Sequence, residues 1–242
     1  MGKAIIATTT LYGGKSDTRF GLALKTVEEA KRNGLDIIII DGGSPAEVCQ
    51  AMREKGAKVV NQEVKGFGLS IRQSLREASC LVGIDGVIIR LEAEKHTLVN
   101  MLPALVSLML KDNIDLLKLG RKNRDDYPPM QKAAEGFAIL ACQEFTGLKW
   151  DFDFGPFLLS QQALLYFLQY DGEYGDLWES LDIPQLRIMR DGLNVKYQEV
   201  DYVHPPEQAG ETGPDMIFKR LKQMSVQVTS IGAEAKKLGF WK

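Results

Sequence analysis

The chain has 242 residues, 45% hydrophobic and 26% charged, with a formal net charge of −2. These are ordinary globular values, enough for one sizeable core, and they exclude a general electrostatic attraction to nucleic acid. Any anionic ligand has to be held by local charge. The three cysteines, Cys49, Cys80 and Cys142, are scattered and odd in number. That pattern argues against a disulfide framework and predicts reduced thiols in a cytoplasmic protein. No secretory leader is expected, because the first residues run straight into a strand. The longest apolar run, residues 98–110, is too short to span a bilayer and contains Asn100 and Pro103.

Residues 3–9 read as a first strand and residues 10–17 as a loop. Residues 20–33 have helical spacing, with Phe20, Ala23, Val27 and Ala30 on one face and Gly34 as the stop. The run Asp36-Ile37-Ile38-Ile39-Ile40 reads as a strand buried on both faces, ending in the turn Asp41-Gly42-Gly43-Ser44. A helix to about residue 55, a strand over 57–60 and a helix over about 69–80 follow. The loop Lys65-Gly66-Phe67-Gly68 precedes that last helix. Residues 86–90 form a fourth strand that ends in Glu92-Ala93-Glu94-Lys95. In an extended segment side chains two apart share a side, so both carboxylates are expected to converge, as hard oxygen ligands for Mg²⁺ or Mn²⁺. Next come a helix over 97–111, kinked or restarted at Pro103, and a strand over 114–119. The basic cluster Arg121–Arg124 is read as a solvated loop. Helices are expected over about 130–145, 160–170 and 175–190, a late strand over 194–203 ending at His204, and a basic amphipathic helix from Glu211 onward. The aromatic and acidic stretch 150–156 reads as a packed functional loop. The alternation of strands and helices predicts an α/β doubly wound, mostly parallel sheet with helices on both faces, in a single domain over 1–242.

There is no G-x-G-x-x-G after the first strand, and Gly13-Gly14-Lys15-Ser16 lacks the first glycine of a P-loop. No G-x-S-x-G elbow occurs, and His96 and His204 are the only histidines. What remains is acidic and sits at strand ends: Asp41, Glu92 and Glu94, with His204 after the last strand. In an open α/β sheet these ends line one edge and can meet in one cleft.

The succession of strand-Asp41-Gly42-Gly43-Ser44, then Lys65-Gly66-x-Gly68-x-Ser70-x-Arg72-Gln73, then strand plus acid-x-acid resembles nucleotide-sugar glycosyltransferases of the GT-A fold. The similarity is to the family-two-like branch that includes polyprenyl-phosphate mannose synthases and glucosyl-phosphoglycerate synthases. It covers about the first hundred residues well and the remainder loosely. The resemblance implies a nucleotide-sugar-binding half (1–110) and an acceptor half (111–242) closed by the C-terminal helix. It implies that Asp41, with Thr8 and Tyr12, faces the nucleotide, that Lys65, Gly66 and Arg72 lie by the phosphates, and that Glu92 and Glu94 bind metal and diphosphate. His204 is implied as a third metal ligand and Asp176, at the head of a late helix, as the base of an inverting enzyme. The partners implied are a UDP- or GDP-sugar and an unknown acceptor, with a homodimer left open. Two departures stand out: Glu replaces Asp in the metal motif, and Gly175 stands where an acid is usual. A sugar-1-phosphate nucleotidyltransferase and a nucleotide-sugar-binding protein without turnover are the alternatives.

Overall fold

The computed structural model describes residues 3–208 and 213–240. Among these residues the strands form one seven-stranded sheet in the order β3-β2-β1-β4-β6-β5-β7. The strands are β1 (Ala4–Thr10), β2 (Asp36–Asp41), β3 (Lys58–Asn61), β4 (Val87–Arg90), β5 (Leu116–Arg121), β6 (Phe157–Leu159) and β7 (Val195–Val200). All neighbours pair in parallel except β6, which is antiparallel to both β4 and β5. The two halves of the chain therefore share one sheet. The mostly parallel α/β architecture is as expected, and β6 is the one strand the sequence does not announce. It is three residues long and directly follows the aromatic and acidic stretch 150–156, so neither length nor period-two alternation marks it.

The isoleucine run of β2 explains the layering. Ile37 and Ile39 pack on one face with Phe20 and Val27 of α1 (Thr18–Arg32), Met52 of α2 (Ala46–Lys55) and Leu105 of α5 (Leu102–Lys111). Ile38 packs on the other face with Ile71 and Leu75 of α3 (Phe67–Val82), Phe167 of α7 (Gln161–Gln169) and Ile188 of α8 (Glu179–Arg190). A strand covered on both sides needs apolar residues at odd and even positions alike. A third cluster joins Cys142 of α6 (Pro129–Thr146), Trp150, Ile183 and Ile231 of α9 (Pro214–Leu238).

Pro103 marks a restart. Helix α4 (His96–Val99) ends before it, and α5 begins with the proline in its first turn, where its missing N–H costs nothing. The helix expected from residue 175 begins four residues later, at Glu179. Glu211, the expected start of the last helix, lies outside the described residues. No helix among the described residues is long and apolar enough to cross a membrane.

The chain runs β1, β2, β3 outward and then returns to place β4 on the other side of β1. The strand order reverses there, and at such a point two loops leave the carboxyl edge in opposite directions and open a crevice.

Candidate functional site

A cleft of about 880 Å³ opens at this edge. Its wall on the β1 and β2 side carries Thr9, Thr10, Tyr12, Arg19 and Gly42, and the β4 end contributes Arg90, Glu92, Glu94 and Lys95. Lys65, Gly66, Phe67 and Ser70 come from the loop before α3 and its first turn. The start of α3 thus faces the cleft, where the helix dipole favours an anion, although the Gly68 N–H is taken by Asp176 O.

Asp41 ends β2 and is buried, but its carboxylate is occupied by its own turn. Oδ1 accepts from Gly43 N at 3.0 Å and Ser44 N at 2.7 Å, and Oδ2 accepts from Ser44 Oγ at 2.6 Å and Thr10 Oγ1 at 2.9 Å. Four donors fill the lone pairs of a carboxylate. Ser44 Oγ in turn accepts from Tyr12 N at 2.8 Å, so Asp41 ties the β2 turn to the loop after β1. Burial works against the Asp41 charge, but the Ser44 and Gly43 hydrogen bonds outweigh it and hold the carboxyl below its ordinary value. A depressed folded-state pKa contributes stability that is complete above the unfolded value and is lost as pH falls through the folded one. Asp41→Asn is therefore expected to cost about 1.5–3 kcal/mol at pH 7. In urea titrations the gap to the wild type should narrow below about pH 3.9. A gap that stays constant from pH 7 to pH 2.5 would show that the charge of Asp41 holds nothing.

Thr8 is a correction. Strand β1 extends to Thr10, one residue further than its sequence pattern indicates, so Thr8 lies inside the sheet opposite Ile39, with 2% of its surface exposed. Thr9 and Thr10 line the cleft instead. Tyr12 is at the cleft wall, where its hydroxyl donates to Glu94 Oε1 at 3.3 Å. Burial, and then the Glu94 carboxylate, push its phenol well above the ordinary value and keep it a donor.

Arg72 and Asp176 are corrected together. They form a two-pronged ion pair, with Arg72 Nη2 donating to Asp176 Oδ2 at 2.9 Å. Asp176 O also accepts from Gly68 N at 3.0 Å, and a Cβ on Gly68 would stand 2.0 Å from Asp176 Oδ1. Asp176 sits at φ +58° in the loop between α7 and α8 rather than at a helix head. The pair clamps that loop onto the first turn of α3, and neither side chain lines the cleft. Arg72 and Asp176 are thus each other's partners in this arrangement.

The acidic pair at the β4 end divides into two environments. Glu92 faces Arg90, whose Nη1 is 3.0 Å from Oε2. Burial disfavours its charge, but Lys95 and Arg90 prevail and hold the carboxyl below its ordinary value. Lys95 lies over the rings of Phe154 at 4.8 Å and Tyr202 at 4.6 Å. Burial pushes its amine down, and Glu92 more than offsets that. Glu94 has weaker company: burial raises its pKa, and Arg19 offsets only part of the effect. His204 lines the same cleft with its ring against that of Tyr127, centroids 4.2 Å apart and planes tilted by 32°. Among the described residues no three His, Cys, Asp or Glu side chains come together as a set able to hold a metal ion. Glu92, Glu94 and His204, the expected metal trio, line one cleft without forming such a set. The cationic neighbours of Glu92 are the reason, together with the turn over 93–94 that ends the extended run. Mg²⁺ commonly takes only one or two carboxylates and completes its shell with substrate phosphates. Glu94 suits that role, because a divalent cation would relieve a charge that burial opposes.

Within the basic cluster Lys122 and Asn123 are exposed loop residues as expected, and Arg121 is the correction. Arg121 closes β5 with a side chain only 1% exposed. It donates to Asp151 through Nε at 2.7 Å and Nη2 at 2.8 Å, and to Glu135 through Nη1 at 2.7 Å. Its guanidinium also lies over the rings of Tyr127 and Phe154.

The fold is shared with glucosyl-3-phosphoglycerate synthase. The Mycobacterium tuberculosis enzyme in complex with Mn²⁺, UDP and glucosyl-3-phosphoglycerate superposes with a TM-score of 0.68 at 15% identity. The match covers 96% of this chain and 80% of that one. The same enzyme with UDP gives 0.68 at 17% identity over the same shares, and with Mg²⁺ and UDP 0.62 at 15% over 95% and 79%. No protein-family model matches the sequence. No curated protein matches it either.

Among the cleft residues that sequence reasoning misses are the acids Asp153 and Asp182. The first lies in the stretch 150–156 that composition marks as functional without singling out a side chain. The second sits on the helical face of Trp178 and Leu181, at i+4 and i+1, and a period of 3.6 around those two points to it.

Proposed function

We propose that the protein transfers a sugar from a nucleoside-diphosphate sugar, held with Mg²⁺ or Mn²⁺, to an acceptor. One observation carries the reading: the cleft at the β1/β4 reversal joins the start of α3, the Lys65-Gly66 loop and the carboxylate of Glu94. It does so on a fold shared, over 96% of the chain, with an enzyme crystallised with Mn²⁺ and UDP. Gly66, at φ +152°, lets the backbone turn into α3 in a conformation that L side chains rarely adopt, with Leu69 where a Cβ would stand. The N–H groups there and Lys65 would receive the diphosphate, and Tyr12 offers a ring edge beside the nucleotide. Glu94 would hold the cation, with Glu92 oriented beside it by Arg90 and Lys95. When bound, the metal supplies Lewis-acid stabilisation of charge developing on the departing diphosphate.

Titration calorimetry with UDP and GDP, each with Mn²⁺, tests the reading before any acceptor is known. One of the two is expected to bind, and a panel of its sugar derivatives should then show slow hydrolysis or transfer. Binding of neither nucleotide sinks the proposal. Binding without consumption of any sugar nucleotide reassigns the protein as a sugar-nucleotide carrier.

A further inference from the structure

Helix α6 is apolar on two sides. Ala138, Ile139 and Cys142 form its buried side. Yet of its seven exposed positions only Lys132 and Glu144 are charged, and Met130, Phe137 and Leu140 stand 57%, 61% and 64% exposed. A surface helix normally turns a polar face outward. Helix α9 runs beside it in the same direction. Arg220 donates to Gln131 near the start of both, and a Cβ on Gly232 would stand 3.0 Å from the Phe145 ring further along. To the apolar surface α9 adds Phe218, 72% exposed, and Leu221, which shares a groove of about 250 Å³ with Met130. Phe137 and Phe218 are the exposed aromatic side chains among the described residues, and both lie on this helix pair.

The spacing defines what fits there. Met130, Ala133, Phe137, Leu140 and Glu144 follow at intervals of three, four, three and four, the seam along which one helix packs against another. The charges of the seam select its partner. Lys132 lies near the start of α6 and Glu144 near its end. An identical helix laid antiparallel therefore brings Phe137 against Leu140 and Lys132 beside Glu144, twice over. Lys132 pairs with Asp125 in the single chain, but that contact is solvent-exposed and worth little. An anionic bilayer is a poorer match, because Asp125, Asp126 and Asp215 are exposed at the same end of the helix pair. The area also suits a second copy. Complete burial of a phenylalanine removes about 150–250 Å² from water, so Phe137 and Phe218 have about 90–180 Å² each still to bury. With Met130, Leu140 and Leu221 these side chains supply roughly half of the ~800 Å² per partner of a stable interface, and the small and charged residues around them supply the rim.

We propose that α6 and α9 form a self-complementary interface through which two copies of this chain associate about a two-fold axis, α6 lying antiparallel to its counterpart. Each copy then covers the same patch on the other, and no unpaired face is left to extend the assembly. Gln131 and Arg220 line both the groove and the cleft, so the interface adjoins the cleft. The association requires no nucleotide.

Sedimentation velocity of the full chain at micromolar concentrations tests this. The wild type is expected at twice the 27.0 kDa of one chain. Phe137→Glu and Leu140→Glu each place a charge in the seam, and each should raise the dimer dissociation constant by at least ~30-fold, the effect of losing a hot-spot side chain. Both positions are exposed in the single chain, so a folded monomer is expected by circular dichroism. Lys132→Glu should weaken association too, and combining it with Glu144→Lys should restore it, as only like helices laid antiparallel predict. A wild type that stays at the mass of one chain overturns the proposal, and so does a dimer indifferent to Phe137→Glu combined with Leu140→Glu. A double charge exchange as weak as Lys132→Glu alone overturns the antiparallel arrangement. Flotation with vesicles of phosphatidylcholine and phosphatidylserine covers the other occupant: a monomer that floats with them assigns the patch to a membrane and overturns the proposal.

Discussion

Replacing Arg121 by alanine is expected to cost about 3–5 kcal/mol, the range for removing one partner of a buried ion pair. The guanidinium neutralises two carboxylates, those of Asp151 and Glu135, which are themselves nearly excluded from solvent. Truncation leaves both largely buried charges without their counterion. For a chain of this size each kcal/mol moves Tm by about 2–4 °C, so a fall of roughly 6–20 °C should appear in a calorimetric scan. Lysine would keep the charge but lose the fork that meets both oxygens of Asp151, and should recover only part of the loss. The pH dependence has a definite sign. Burial opposes the Asp151 charge, but Arg121 outweighs it and lowers the pKa. The stabilisation is therefore present above the unfolded value and disappears as pH falls through the folded one. The difference between wild type and Arg121→Ala should shrink in acid. A drop in Tm of less than about 2 °C at pH 7, under 1 kcal/mol, would mean that the triad is not the fastening described here.

Glu94→Gln should remove the manganese dependence of nucleotide binding, lowering affinity by more than the ~10–100-fold that loss of an outer-shell partner commonly costs a metal site. The argument is electrostatic. Glu94 is a carboxylate that burial disfavours and that Arg19 offsets only in part, so it gains most from an arriving dication. Glu92 is already matched by Arg90 and Lys95, and Glu92→Gln should act differently, by releasing those two cations toward the diphosphate. The two isosteric changes thus separate a ligand from an orienting group. Glu94→Gln should leave the melting temperature unchanged or raise it slightly, since it deletes a charge that resists burial. Undiminished UDP affinity in Mn²⁺ for Glu94→Gln would exclude it as the metal carboxylate.

Much of the fold is legible because its strands are parallel and buried on both faces. Four consecutive isoleucines after Asp36 admit few other readings. Strand β6 is not legible, since antiparallel pairing with β4 and β5 is a tertiary fact that three residues cannot encode. The edge of the sheet carrying Glu92, Glu94, Tyr12 and His204 follows from the rule that ligands gather at carboxyl ends. The errors come from partners distant in sequence. Nothing local to Asp176 reveals Arg72, 104 positions away, and nothing local to Arg121 reveals Asp151 and Glu135. Asp41 shows the opposite case: most of its partners lie in its own turn, and the turn-capping role common to an aspartate before two glycines describes those hydrogen bonds.

The insertion of β6 between β4 and β5 also sets an order of events while the chain is being made. β1 to β4 can pair as soon as residue 90 is available, but the far edge of β4 finds its neighbour only at Phe157. At the ~5–20 residues per second of translation, that edge stays open for roughly 3–13 seconds. An unpaired, apolar strand is a template for another chain. β4 is four residues long and ends in Arg90, and a short, charge-terminated edge is a poor template, so the strand that closes this gap is awaited by one built to wait.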